Sequence, residues 1–130
     1  VYYTQQRIAN SNTSTKVHLV GKQKEDYYNY LSLGNGFLLT SRQDPFPLVM
    51  IEAAYLGKPI VSFPSGGASE FILEGMGAVT EDISVKQMVR KMRSIMNGEL
   101  HTDSDKSQKR AGLFNVKNGY ENWAEIMDKM

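Results

Sequence analysis

Residues Thr40 to Phe63 read TSRQDPFPLVMIEAAYLGKPIVSF. Pro47 suits the start of a helix, because its ring fixes φ and the N–H it lacks would be unpaired there. Leu48 to Leu56 is built of helix formers and is apolar on almost every face, the pattern of a helix buried between layers. Gly57 fits the left-handed position past a helix end, and Pro59 forbids continuation. Ile60 to Phe63 is β-branched and aromatic, and predicts a short buried strand.

Glu52 breaks the apolar run. A carboxylate among Met50, Ile51, Ala53 and Ala54 is costly without a hydrogen-bonding partner. It either reaches solvent, pairs with a buried Arg or Lys, or holds a ligand hydroxyl. Asp44, in the loop before the helix, alone reads as a turn former or as an acid favoured by the helix dipole. Between the two acids lies a helix N-terminus whose free N–H groups, Leu48 and Val49 among them, suit an anion. A phosphate there, with a hydroxyl-rich group at each acid, describes a sugar nucleotide.

The rest of the chain continues the alternation. Val1 to about Asn10 predicts a helix, and Asn10 to Thr15 a polar turn. Lys16 to Val20 predicts a strand ending at Gly21. Glu25 to Leu33 predicts a helix whose tyrosines at 27, 28 and 30 read as packing. Gly34-Asn35-Gly36 connects it to a strand over Phe37 to Thr40. After Phe63, Pro64 to Glu70 opens a short helix reaching about Glu74. Gly77 to Val79 predicts a further strand. Ser84 caps a helix over Val85 to Met96 whose methionines read as core. Helices over about Lys106 to Val116 and Tyr120 to Met130 follow, the last with Trp123, Ile126 and Met127 on a face expected to dock on the rest.

Strands alternating with helices imply an α/β fold: a Rossmann-like parallel sheet with helices on both faces. In such sheets the loops after the strands share one edge and form the ligand crevice. That rule groups Gly21–Lys24, Ser41–Phe46 and Pro64–Ala68, and sets Asp44 beside Gly66-Gly67. Paired glycines before a helix form a strand-to-helix turn or a place where backbone approaches a phosphate or sugar closely.

With 130 residues the chain forms one domain, 1–130, with a real core. A net charge of +1 gives no field to recruit nucleic acid or an acidic membrane. The absence of cysteine excludes disulfides and thiolate metal sites and fits a reducing compartment. No apolar run spans a membrane. Neither His18 nor His101 has metal-ligand spacing, and no dinucleotide or P-loop glycine motif is present.

The segment Asp-Pro-Phe-Pro-Leu-Val-Met-Ile-Glu-Ala (44 to 53), followed by Gly57-Lys58-Pro59-Ile60-Val61, resembles the Glu-x7-Glu region of GT-B glycosyltransferases, above all the retaining bacterial group 1 enzymes. The resemblance covers about Val17 to Val79 and includes a Gly-Gly-x-x-Glu segment, here Gly66, Gly67 and Glu70. It implies a fragment of the C-terminal, donor-binding GT-B domain, without its N-terminal acceptor domain. It assigns Asp44 to the donor sugar, Glu52 to the ribose hydroxyls, and the amides of Phe46, Leu48 and Val49 to the diphosphate or sugar. Gly66 and Gly67 then border the donor, and Gly21, Lys22 and Gln23 line the nucleobase pocket. Two departures stand out: Asp44 replaces the usual Glu, and Pro47 stands where the family often has Gly.

The implied function is transfer of a sugar from a nucleotide-sugar donor to a hydroxyl, with retention, without a metal or other cofactor, in polysaccharide or glycolipid assembly. The implied location is cytoplasmic, with any peripheral membrane association made through the missing domain. Family members also carry an Arg and a Lys that grip the diphosphate. With no matching segment before Val17, the fragment alone is expected to be inactive. The alternatives are a non-catalytic Rossmann-like nucleotide-binding or docking module and a signalling receiver domain, though the latter's acidic cluster is not seen. A hydrolase is disfavoured, because its two carboxyls must flank one glycosidic bond, whereas Asp44 and Glu52 straddle a helix end.

Overall fold

The computed structural model describes residues 2–11 and 17–129. In chain order it contains α1 (Tyr2–Ala9), α2 (Tyr27–Leu33), β1 (Phe37–Leu39), α3 (Leu48–Tyr55), β2 (Ile60–Ser62), α4 (Ala68–Phe71), β3 (Gly77–Val79), α5 (Val85–Met96), α6 (Ser104–Gly112) and α7 (Val116–Asp128). The three strands form a parallel sheet in the order β1-β2-β3. Leu38 pairs with Val61, and Val61 with Ala78.

That register divides the core. Leu39 and Ile60 point to one face, where Met50, Ala53 and Ala54 of α3, Phe71 of α4 and Ala111 of α6 pack with them. Val61 and Phe63 point to the other, against Met88, Met92 and Ile95 of α5. Helices thus cover both faces of an α/β sheet, as the alternation predicts.

The helix ends follow the local chemistry. Gly57 takes φ +68°, its N–H donates to the Ala54 carbonyl at 2.9 Å, and the Lys58 N–H donates to that of Ala53 at 3.0 Å. These two bonds close the last turn of α3 in a Schellman arrangement. Ser84 caps α5 by accepting from the Gln87 N–H. Asp103 likewise caps α6, and Asn115 caps α7. These caps start the last two helices earlier than the apolar pattern suggests, and α7 runs through Gly119.

Three expectations are corrected. Lys16 lies outside the described residues, and Val17–Val20 is not a strand. Its apolar residues suit a sheet, but among the described residues β1 pairs only with β2, so the segment joins no ladder. The expected turn at 12–15 also lies outside the described residues. Secondly, α3 is not buried all round. Met50, Ala53 and Ala54 are fully buried, whereas Leu48 is 71% and Tyr55 67% exposed. Leu48, Glu52 and Tyr55 share one stripe by their i, i+4, i+7 spacing, and that stripe looks outward. Thirdly, α7 buries no residue. Trp123, Ile126 and Met127 are all exposed, because an amphipathic pattern specifies a face and not the surface that covers it.

Candidate functional site at the carboxyl ends of the strands

The loops after β1 and β2 meet at the carboxyl end of the sheet. The Asp44 N–H donates to Ser65 Oγ at 3.1 Å, and the Gly67 N–H donates to the Pro45 carbonyl at 2.7 Å. Ser65, a residue the sequence reading passed over, is buried and pins the Asp44 loop. Asp44 therefore lies beside Gly66-Gly67, as strand alternation predicts.

The glycines serve this contact. Gly66 has φ +50°, and a Cβ on it would overlap the carbonyl oxygens of Asp44 and Pro45. A Cβ on Gly67 would strike the Phe46 ring. The close approach that needs glycine is thus one loop upon another, and the faces vacated by the missing Cβ atoms are filled by protein. Phe46 stacks on Phe114 at 5.4 Å between centroids and meets Phe71 edge-on at 6.0 Å. Arg110 lies over both Phe71 and Phe114 and donates to the Glu70 carbonyl at 3.0 Å, clasping α4 to α6. Its spacing in the sequence gives no hint of that role.

Beside this junction stands the N-terminus of α3. Pro47 occupies the N-cap position with extended backbone, not the first helical position, and makes no side-chain cap. The Met50 N–H returns to the Pro47 carbonyl at 3.0 Å. The amides of Phe46, Leu48 and Val49 have no acceptor among the described residues. Three donors are thus left at the positive end of a helix, and the partly buried Asp44 lies in the loop leading to it.

Glu52 sits one turn further along α3, about 6 Å along the axis from Leu48. Helical side chains lean towards the N-terminus, so its carboxylate tips back to the crevice end. It is half-buried and, among the described residues, pairs with neither Arg nor Lys. Instead the Tyr27 hydroxyl donates to Oε2 at 2.8 Å and the Tyr28 hydroxyl to Oε1 at 3.0 Å. The tyrosines at 27 and 28 are therefore hydrogen-bond donors to the candidate acid and not plain packing. The sequence offers no signal for this, since the pairing depends on how α2 lies against α3. Burial first, then the hydrogen bond to Glu52 and its charge, push the Tyr27 phenol up to about 12. Tyr28 is raised chiefly by its own hydrogen bond to Glu52. An ionised carboxylate has about four acceptor positions, so two remain after both tyrosines are served.

Gly21 and Gln23 are not brought to this edge by a strand. Gly21 has φ +69° in open surroundings, and the Gln23 amide folds back on the Val20 carbonyl. They lie just ahead of the tyrosines in the chain. Among the described residues, no group of three or more His, Cys, Asp or Glu gathers to hold a metal ion, and no helix is long and apolar enough to cross a membrane. A cleft of about 880 Å³ lies at the other end of the strands and is lined by Leu33, Phe37, Pro59, Met92 and Ile95 among others. It opens where α5 covers β2 and β3 but leaves Leu38 of β1 exposed. Lys58 is its one charged lining residue.

A parallel sheet with open amides at a helix tip and an acid to either side suits an anion flanked by hydroxyl groups. The chain belongs to the glycosyl transferases group 1 family, whose sequence profile matches residues 1–112. It is 33% identical over 86 residues to the Vi polysaccharide biosynthesis protein VipC/TviE of Salmonella typhi, a match covering 63% of this chain and 15% of that protein. Its fold is similar to that of sucrose-phosphate synthase from Thermosynechococcus elongatus, with a TM-score of 0.82 at 21% identity over 98% of this chain and 33% of the other. It is also similar to Anabaena HepE, solved in complex with UDP, with a TM-score of 0.66 at 23% identity over 82% of this chain and 31% of the other. The chain therefore spans 15% of the curated relative and about a third of each solved structure. These likenesses bear out the GT-B, Rossmann-like fold expected from residues 44 to 61.

Proposed function

We propose that this chain is the donor-binding part of a glycosyltransferase that moves a sugar from a nucleotide sugar to a hydroxyl group, with retention and without a metal, in the assembly of a polysaccharide. The observation that carries the reading is the set of unpaired amides at the tip of α3, flanked by Asp44 and Glu52. The amides of Phe46, Leu48 and Val49 hold the diphosphate. As the glycosidic bond breaks, negative charge grows on the leaving diphosphate, and fixed N–H dipoles stabilise that charge without reorganising. Glu52 accepts from the ribose hydroxyls. Asp44 holds the donor sugar near the acceptor, which lowers the entropic part of the barrier. Gly66 and Gly67 shape the crevice wall by letting the Asp44 loop close on them. Gly21 and Gln23 border the nucleobase.

The acceptor is bound by a further domain of the same parent chain, at the cytoplasmic side of the membrane. The relationship to a Vi polysaccharide biosynthesis protein supports the polysaccharide role. The UDP in the HepE structure makes UDP the first nucleotide to test. Binding of UDP, GDP and ADP to the full-length protein should show one that binds, and Glu52→Ala should abolish that binding together with transfer. Wild-type affinity and turnover in Glu52→Ala would overturn the assignment. Turnover by residues 1–130 alone would refute the need for further domains.

A further inference from the structure

The two tyrosines at the start of α2 have no evident structural need. α2 buries no residue. Its ties to α3 and the segment after it include the Lys58 Nζ bond to the Ser32 carbonyl at 2.7 Å and the packing of half-buried Leu31 on the core. Tyr28 is 56% exposed, and hydrogen bonds made in solvent add little to stability. Yet consecutive helical residues point about 100° apart, and here both hydroxyls converge on one carboxylate, one on each oxygen. The rings meet edge-on at 5.2 Å, which restrains both. Two donors on two oxygens fix the plane and direction of a carboxylate whose three side-chain torsions would otherwise be free.

We propose that Tyr27 and Tyr28 are positioning residues for Glu52: they hold its carboxylate so that one acceptor position on each oxygen faces a vicinal diol, the 2′ and 3′ hydroxyls of a nucleotide ribose. This inference rests on the reading of Glu52 as the ribose contact. Because the hydroxyls act through the carboxylate, their removal acts on the diol and leaves the base and diphosphate contacts alone.

The test uses the full-length protein and whichever of UDP, GDP and ADP binds most tightly, with its 2′-deoxy counterpart, by calorimetric titration. Wild type should prefer the ribonucleotide by about tenfold or more, the worth of one hydrogen bond to a charged group. In Tyr27→Phe/Tyr28→Phe the ribonucleotide should weaken by about the same factor, while the deoxynucleotide keeps its affinity. Equal weakening of both nucleotides, or no change in either, would overturn the proposal. Tighter ribonucleotide binding would also overturn it, since it would show that the hydroxyls occlude the carboxylate. Glu52→Gln separates the two levels. If it leaves the ribose preference intact, the reading of Glu52 falls and the proposal with it. If it erases the preference while the tyrosine variant keeps it, the proposal alone falls. Failure of all three nucleotides to bind overturns both.

Discussion

Gly66 carries two separate demands, and substitution can tell them apart. Its φ of +50° is left-handed, and a Cβ there would occupy the space of the Asp44 and Pro45 carbonyl oxygens. Alanine in the left-handed region costs about 1–2 kcal/mol. Forcing a methyl group into occupied space costs about 1–3 kcal/mol more, and here the obstacle is backbone that cannot rotate aside. Gly66→Ala should therefore lose about 2–5 kcal/mol, a large share of the roughly 5–15 kcal/mol that holds a domain together. Gly98 supplies the control, with φ +72° and nothing within 4 Å of its would-be Cβ. Gly98→Ala should show the conformational cost alone.

Urea unfolding followed by circular dichroism reads the difference. With a slope of about 2 kcal/mol per molar, Gly66→Ala should lower the midpoint by about 1–2.5 M and Gly98→Ala by about 0.5–1 M. Gly66→Asn adds a second arm, because asparagine tolerates left-handed backbone but brings the same Cβ. It should regain at most the conformational part of the loss and keep the steric part. Equal midpoints for Gly66→Ala and Gly98→Ala, or full recovery in Gly66→Asn, would refute the claim that the Asp44 loop needs this glycine for lack of space. In the full-length protein the loss should extend to donor binding, because the displaced carbonyl belongs to Asp44 itself.

Tyr27 should ionise near pH 12 when tyrosinate absorbance is followed against pH. Because the folded value lies above the ordinary 10.0, the bond to Glu52 contributes fully below pH 10 and is lost as pH rises through about 12; Glu52→Gln should bring the Tyr27 step back down. Phe71 is fully buried and meets the rings of both Phe46 and Phe114. Phe71→Ala should cost about 3–5 kcal/mol, seen as a large drop in thermal midpoint; a drop of only a degree or two would show that the three rings do not form one packed unit.

What was legible in the sequence was whatever local chemistry decides. Gly57 with Pro59 ends α3, Ser84 starts α5, and β-branched residues mark β2. The strand edge followed from alternation, and it brought Asp44 to Gly66 without any knowledge of distance. Val17–Val20 failed because a strand is a property of two segments, and among the described residues none pairs with it. α7 failed in the same way, having a face without a surface to meet it. The Tyr27 and Tyr28 bonds to Glu52 span 25 and 24 residues and join two helices whose relative placement no spacing encodes.

Glu52 shows how a reading can reach a residue by an incomplete route. The apolar letters around it suggested a carboxylate enclosed by hydrocarbon, needing a ligand to relieve it. The structure puts it on the outward stripe of α3 between exposed Leu48 and Tyr55, where an acid needs no special explanation. What distinguishes it is its donors. A solvated glutamate samples many rotamers, whereas this one is held at both oxygens by phenols that keep half its acceptor capacity open. On the proposed reading, that restraint and the three amides without acceptors among the described residues meet the hydroxyl groups and the negative charge of a nucleotide sugar.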